Sequence, residues 1–188
     1  RLQLTVDVVV SAEFDPLDCD QNSAVLGAAG PRVVYRLEDD VYYTAAQANH
    51  IRGYDLSPGD HEINARFNAD YGVSCPTANP QNGNGWYYGL DGNPGSGQID
   101  FVTVVSHEIL HGLGILSLVN PSTGAKFNGY DDAYMRLLED GSTGTQWSAM
   151  TDAERQASAT DTGDLLWTGS AVTSVAGSFS AGVSGGLV

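Results

Sequence analysis

Between Phe101 and Leu113 the chain carries Val102, Val105, Ile109 and Leu113 at helical spacing, with His107 and His111 one turn apart. An apolar stripe of that period predicts a helix backed by a core. Two residues correspond to about 200° of rotation, so the two imidazoles stand opposite the stripe, where a cleft can open. The element is thereby tied to two surroundings at once, a packed layer on one side and an accessible space on the other.

Residues 107 to 111 read H-E-x-x-H. Side chains at i and i+4 lie one above the other, so both imidazoles can point at one ion about 2.0 to 2.1 Å from each nitrogen. Glu108, one step along, does not join the same coordination sphere. It reaches a water at the ion and takes its proton, the part of a general base in zinc hydrolases. Two imidazoles hold zinc too weakly and leave its geometry undefined, so at least one further protein ligand is required. Packing needs alone rarely place two His at this spacing around an acid.

The 188 residues fit one domain of ordinary size, or one catalytic domain cut from a longer chain. Leu2, Leu4, Val6 and Val8 alternate with Gln3, Thr5 and Asp7, which predicts an opening strand. Further strands are expected at Val33 to Leu37 and in EINARF around Ile63, with Thr44 capping a short helix AAQANHIR that ends before Gly53. Thr77 to Gly97 reads as a long surface loop carrying WYYGL. A second helix is expected from Asp131 to about Glu139 and a third within Trp147 to Ala157, with strand or linker after Trp167. Residues 171–188 lack charge, and their Gly, Ser, Ala and Val mixture is not that of a membrane span.

With 8 basic against 23 acidic side chains, the formal charge of -15 repels phosphate backbones and anionic membrane surfaces, which argues against a nucleic-acid partner. No apolar run reaches the roughly 18 residues of a membrane helix. No basic segment followed by an apolar one opens the chain, so the expectation is that any export signal has been removed or never existed. Cys19 and Cys75 are too far apart for a paired Cys-x-x-Cys metal site. They are read as one long-range disulfide, with two unrelated buried thiols as the alternative, and the disulfide implies an oxidising, extracellular setting.

Other matches carry less. His61 and Glu62 form a second HE pair, but its fifth position is Ala65 in a strand pattern, and His50 reads as a surface or packing residue. Asp161, Thr162 and Gly163 spell half of an aspartic-protease pair and read as a turn. Gly182 to Gly186 match G-x-S-x-G with only two residues left to supply an acid and a His. Asp91, Asn93, Gly95 and Asp100 offer oxygens for Ca²⁺, although turn formation explains the same composition.

The run from His107, H-E-x-x-H-G-L-G-I-L-S, resembles the metzincin metallopeptidases, whose pattern H-E-x-x-H-x-x-G-x-x-H/D uses the Gly to turn the chain toward a third ligand. Gly114 stands at the turning position, but Ser117 occupies the ligand position and no His follows His111. In leishmanolysin-like metzincins an insertion separates the turning Gly from the third ligand, and a supporting methionine follows about ten residues after that ligand. Met150 is the methionine placed for this, which points back to Asp140 as the third zinc ligand, with Glu139, Asp132 and Asp131 as competitors.

FDPLDCDQNSAVLGAAG, WYYGLDGNPGSGQIDFVTVVSHEILHGLGI, FNGYDDAYMRLLED and WSAMTDAERQASATDTGDLLWTG are similar to a group of bacterial secreted proteins with a zincin-type domain, often followed by a protease-associated domain. The resemblance covers most of residues 10–169. It implies an α+β zincin-type domain over 1–169, with 170–188 as a tail or the start of a following module. The implied activity is that of a secreted Zn²⁺ endopeptidase acting on protein or peptide, with Glu108 as general base; independently of the resemblance, Tyr130 and Tyr134 are candidates to stabilise the oxyanion, and no sequence feature selects either. The rival reading is a zincin-like binding or adhesive module of a larger secreted protein, motivated by Ser117. A metal-dependent amidase acting on something other than protein is the third.

Overall fold

In the computed structural model, which describes residues 5–20, 22–75, 85–176 and 178, the chain is mixed α and β and divides into two units. The first is Arg1–Tyr35 with Thr44–Ile115, the second Arg36–Tyr43 with Leu116–Val188. Two short strands, β3 (Val34–Arg36) and β4 (Tyr42–Thr44), lie where the chain passes from one to the other and back. Among the described residues no helix is long and apolar enough to cross a membrane.

The first unit is built on a three-stranded sheet in the order β1 (Val10–Asp15), β5 (Ile63–Asn68), β2 (Gly27–Pro31). β1 runs parallel to β5 with Val10 opposite Ile63, and β2 runs antiparallel to it with Ala29 opposite Ala65. The opening strand thus lies later than its alternation predicts: Leu2 and Leu4 fall outside the described residues, and Thr5 to Val9 form no strand. Pairing with β5 decides the position, because a strand is stabilised by its ladder and not by periodicity alone. Glu62, buried beside that start, accepts from Val9 N at 2.7 Å and from Asn49 Nδ2 at 3.1 Å.

Helix α1 (Ala45–Arg52) follows its local chemistry. Thr44 and Gln47 form a reciprocal capping box, and Gly53 closes the C-terminus in the left-handed region at φ 73°. In the expected loop, residues 77–84 lie outside the described set, while β6 (Trp86–Tyr87) pairs parallel with β7 (Ile99–Asp100). β7 leads straight into α2 (Phe101–Gly112), matching the predicted helix to within a residue. A disulfide joins Cys19 to Cys75, with Cα atoms 5.7 Å apart, and binds the segment before β2 to the chain beyond β5.

The second unit centres on Val119, Met135, Leu138, Trp147 and Met150, with Tyr134, Ala159 and Trp167 packed around them. The helix expected from Asp131 is a single 3₁₀ turn, Met135–Leu137, running into β8 (Leu138–Asp140). β8 is the middle strand of an antiparallel sheet between β10 (Leu165–Trp167) and β9 (Thr145–Gln146), and this pairing removes the residues a helix would need. The third expected helix starts later than predicted. A 3₁₀ turn covers Trp147–Ala149, and α3 (Asp152–Thr160) begins after a capping box of Thr151 and Glu154. Asp161, Thr162 and Gly163 lie in a bend and turn, as expected. Beyond β10 the tail forms α4 (Ser170–Ala176) instead of a strand or linker, and Gly182 to Gly186 fall outside the described residues.

Candidate functional site

Asp100 starts the site helix. Its Oδ2 accepts from Thr103 N at 2.9 Å and from Thr103 Oγ1 at 2.5 Å, satisfying donors at the exposed N-terminus of α2. Phe101 anchors the first turn among the rings of Phe14, Phe67, Trp86 and Tyr88, with centroids 5.1 to 5.4 Å away. At the other end, Gly112 lies so close to β5 that a Cβ there would stand 2.5 Å from Ile63 Cγ2. The apolar stripe does not by itself describe this docking: Val102 is 42% exposed, and the helix meets the sheet through Phe101, Glu108 and Gly112. A glycine is invisible to hydrophobic periodicity, yet permits the closest approach of helix and strand.

His107 and His111 are brought together. Their Nε2 atoms lie 3.1 Å apart, with the rings at 88° and centroids 4.7 Å apart. His111 Nδ1 lies 2.8 Å from the carbonyl oxygen of Ile115, an acceptor that places the hydrogen on Nδ1 and leaves the Nε2 lone pair available when the ring is neutral. That carbonyl is presented by the turn after the helix, where Gly114 has φ 109° and Ile115 N donates to Leu110 O at 2.9 Å. Two nitrogens on a tetrahedral zinc, each about 2.0 to 2.1 Å from the ion, are separated by about 3.3 Å. The pair therefore matches one edge of such a coordination sphere. A hydrogen bond from one ring to the other suits the same separation.

Glu108 projects onto the sheet side of α2. Its Oε2 accepts from the main-chain N–H of Ala29 at 2.9 Å, and its Cγ lies where a Cβ on Gly27 would approach to 3.0 Å. Sequence reasoning did not find these two residues of β2: GAAGP lacks alternation and large side chains, and its role comes from main-chain groups.

The acidic candidates all lie in the second unit. Asp140 is buried at the end of β8, where its Oδ1 accepts from Ser142 N at 2.9 Å, Ser142 Oγ at 2.6 Å and Thr143 N at 3.0 Å. The hydroxyl of Ser142, followed by that of Ser158, holds its carboxyl below the usual carboxylate range and keeps it ionised. It lines a cleft of about 470 Å³ with Ser142, Thr143, Met150, Glu154 and Ser158. Asp132 is also buried, accepting from Leu118 N, Met135 N and Ser117 Oγ at 2.7, 2.7 and 2.9 Å, and burial pushes its pKa up. Ser117, at the position where the metzincin pattern has its third ligand, is thus a donor to that acid. Asp131 pairs with Lys126 at 2.7 Å, and Glu139 accepts from Gln146 Nε2 at 2.7 Å. No group of three or more His, Cys, Asp or Glu side chains able to hold a metal ion forms among the described residues.

The remaining candidates have local partners. His50 Nδ1 lies 3.1 Å from Thr5 Oγ1, and His61 Nε2 lies 2.7 Å from Asn64 Oδ1. Asp91 accepts from Tyr87 Oη and Asn93 N, Gly95 N donates to Gln98 Oε1, and Asp100 caps α2, all interactions of turns and a helix end. Set against known proteins, the chain matches no family model, no curated protein and no solved structure.

Proposed function

We propose that the chain is a zinc-dependent endopeptidase of the extracellular space, in which His107 and His111 supply two ligands of the ion and Glu108 is the general base. The observation that carries the reading is the approach of two Nε2 atoms to 3.1 Å beside a carboxylate that already has one oxygen anchored. The Ile115 carbonyl supports it by selecting the His111 tautomer whose Nε2 is a ligand. When bound, zinc supplies Lewis acidity, polarising a peptide carbonyl and acidifying water. Glu108, with Oε2 on Ala29 N, offers Oε1 to receive the proton of the attacking water and to pass it to the leaving amine. The third ligand is expected at Asp140 from its place ten residues before Met150, the spacing of the leishmanolysin-like pattern. The Cys19–Cys75 disulfide suits an oxidising compartment.

The test is metal content of the purified chain together with hydrolysis of casein or gelatin, with and without a zinc chelator. Glu108→Ala should retain zinc and lose turnover; an active variant would refute the role of Glu108. Asp140→Ala should lose zinc, and unchanged affinity would move the third ligand to Glu139, Asp132 or Asp131. The commitment of the Ser117 hydroxyl to Asp132 favours a second reading, a zincin-like binding module. One equivalent of zinc with no cleavage by the parent chain would select it.

A further inference from the structure

We infer that strand β2 is the positioning element for Glu108: the main-chain N–H of Ala29 holds Oε2, and the missing side chain of Gly27 leaves the space through which the Glu108 side chain runs. The catalytic consequence rests on the proposed peptidase reading; the contact itself does not.

The register explains why β2 has a donor to spare. Asn68 N donates to Leu26 O at 2.9 Å and Arg32 N to Glu62 O at 2.7 Å, so the even-numbered residues make the ladder with β5. Gly27, Ala29 and Pro31 consequently turn their main-chain groups away from β5, and β2 is an edge strand with that side open. Pro31 has no N–H to offer. Ala29 presents one from a backbone already held along its other edge, and a charge-assisted bond from a rigid donor orders a side chain that otherwise turns about three bonds.

Gly27 does the complementary steric work. A Cβ there would lie 3.0 Å from Glu108 Cγ, 3.2 Å from the Phe67 ring and 3.3 Å from Arg66 O. Phe67 is buried and Arg66 O belongs to the backbone of β5, so the Glu108 side chain is the neighbour able to give way. A methyl group at position 27 therefore displaces the carboxylate from Ala29 N. Together the two residues leave Oε1 as the oxygen free for proton transfer, held by a strand and not by solvent.

The contact is tested on the full chain by amide hydrogen exchange. The Ala29 amide should be protected in the parent, and in Glu108→Ala it should exchange at least about tenfold faster while the Asn68 amide, a ladder bond, is unchanged. Equal exchange at Ala29 in the two proteins overturns the proposal. Its consequence is tested by Ala29→Pro, which deletes the donor at an edge position that makes no ladder bond, and independently by Gly27→Ala. Each should lower kcat on a peptide substrate by about 10-fold to 100-fold, with KM and zinc content within about twofold of the parent. Folded variants with parental kcat overturn the proposal. Should Ala29→Pro fail to fold, Gly27→Ala and the exchange measurement decide it. A parent that cleaves nothing defeats the peptidase reading, and the exchange result still decides the contact.

Discussion

Replacing Gly112 by Ala tests how the site helix is seated. The new Cβ would stand 2.5, 2.6 and 2.7 Å from Ile63 Cγ2, Cγ1 and Cδ1, about 1 Å inside ordinary carbon contact for all three atoms. Ile63 cannot move aside: it is fully buried on the middle strand, between Val10 of β1 and Pro31 of β2. Overpacking of this kind costs about 1 to 3 kcal/mol. Ala recovers at most about 1 kcal/mol of helix propensity, and less at the last helical residue. The net expectation is a destabilisation of about 1 to 2 kcal/mol, or about 2 to 8 °C in Tm for a chain of this size. Calorimetry and urea unfolding followed by circular dichroism measure it. A double-mutant cycle gives the mechanism: Ile63→Ala alone costs about 2 to 5 kcal/mol, and the pair should cost about 1 to 3 kcal/mol less than the sum because the added methyl group occupies vacated space. Parental stability in Gly112→Ala, or strict additivity in the cycle, would refute close docking of α2 on Ile63.

Reducing the Cys19–Cys75 bond, or replacing both residues by Ser, should cost about 4 kcal/mol by releasing a long loop in the unfolded chain, read as a Tm difference with and without reductant. Arg155, 2% exposed, donates to the carbonyls of Gly124, Trp147 and Met150; Arg155→Met should strand these acceptors and lower stability by about 3 kcal/mol or more in urea titrations. Burial raises the Tyr71 pKa above its ordinary value near 10. Its folded value exceeds its unfolded value, so the stability it contributes is complete below about pH 10 and lost as pH rises through the raised value. Tyr71→Phe should therefore flatten the fall in Tm between about pH 9 and 11, and an unchanged slope would exclude Tyr71 from that transition.

What could be read without the fold is what short-range chemistry decides. The Thr44 and Gln47 capping box and Gly53 delimit α1, and the i, i+4 geometry of His107 and His111 follows from helical pitch once residues 101 to 112 are helical. Two cysteines allow only one pairing, so the sequence names Cys19 and Cys75 as partners, while the fold decides that the bond forms. Residues 131 to about 139 carry a helical signal because propensity is local, while β8 is made by its neighbours β9 and β10, which are distant in sequence or joined through a turn. Likewise β1 begins where β5 offers a partner, and β2 exists by pairing, since GAAGP has no pattern of its own. Tertiary structure alone decided that the sheet-facing contact of Glu108 is a main-chain donor beside a residue with no side chain. The physical reason is that backbone groups are the same in every sequence, so which of them is left unpaired depends on register and edge position, and these arise only when strands from separate parts of the chain meet.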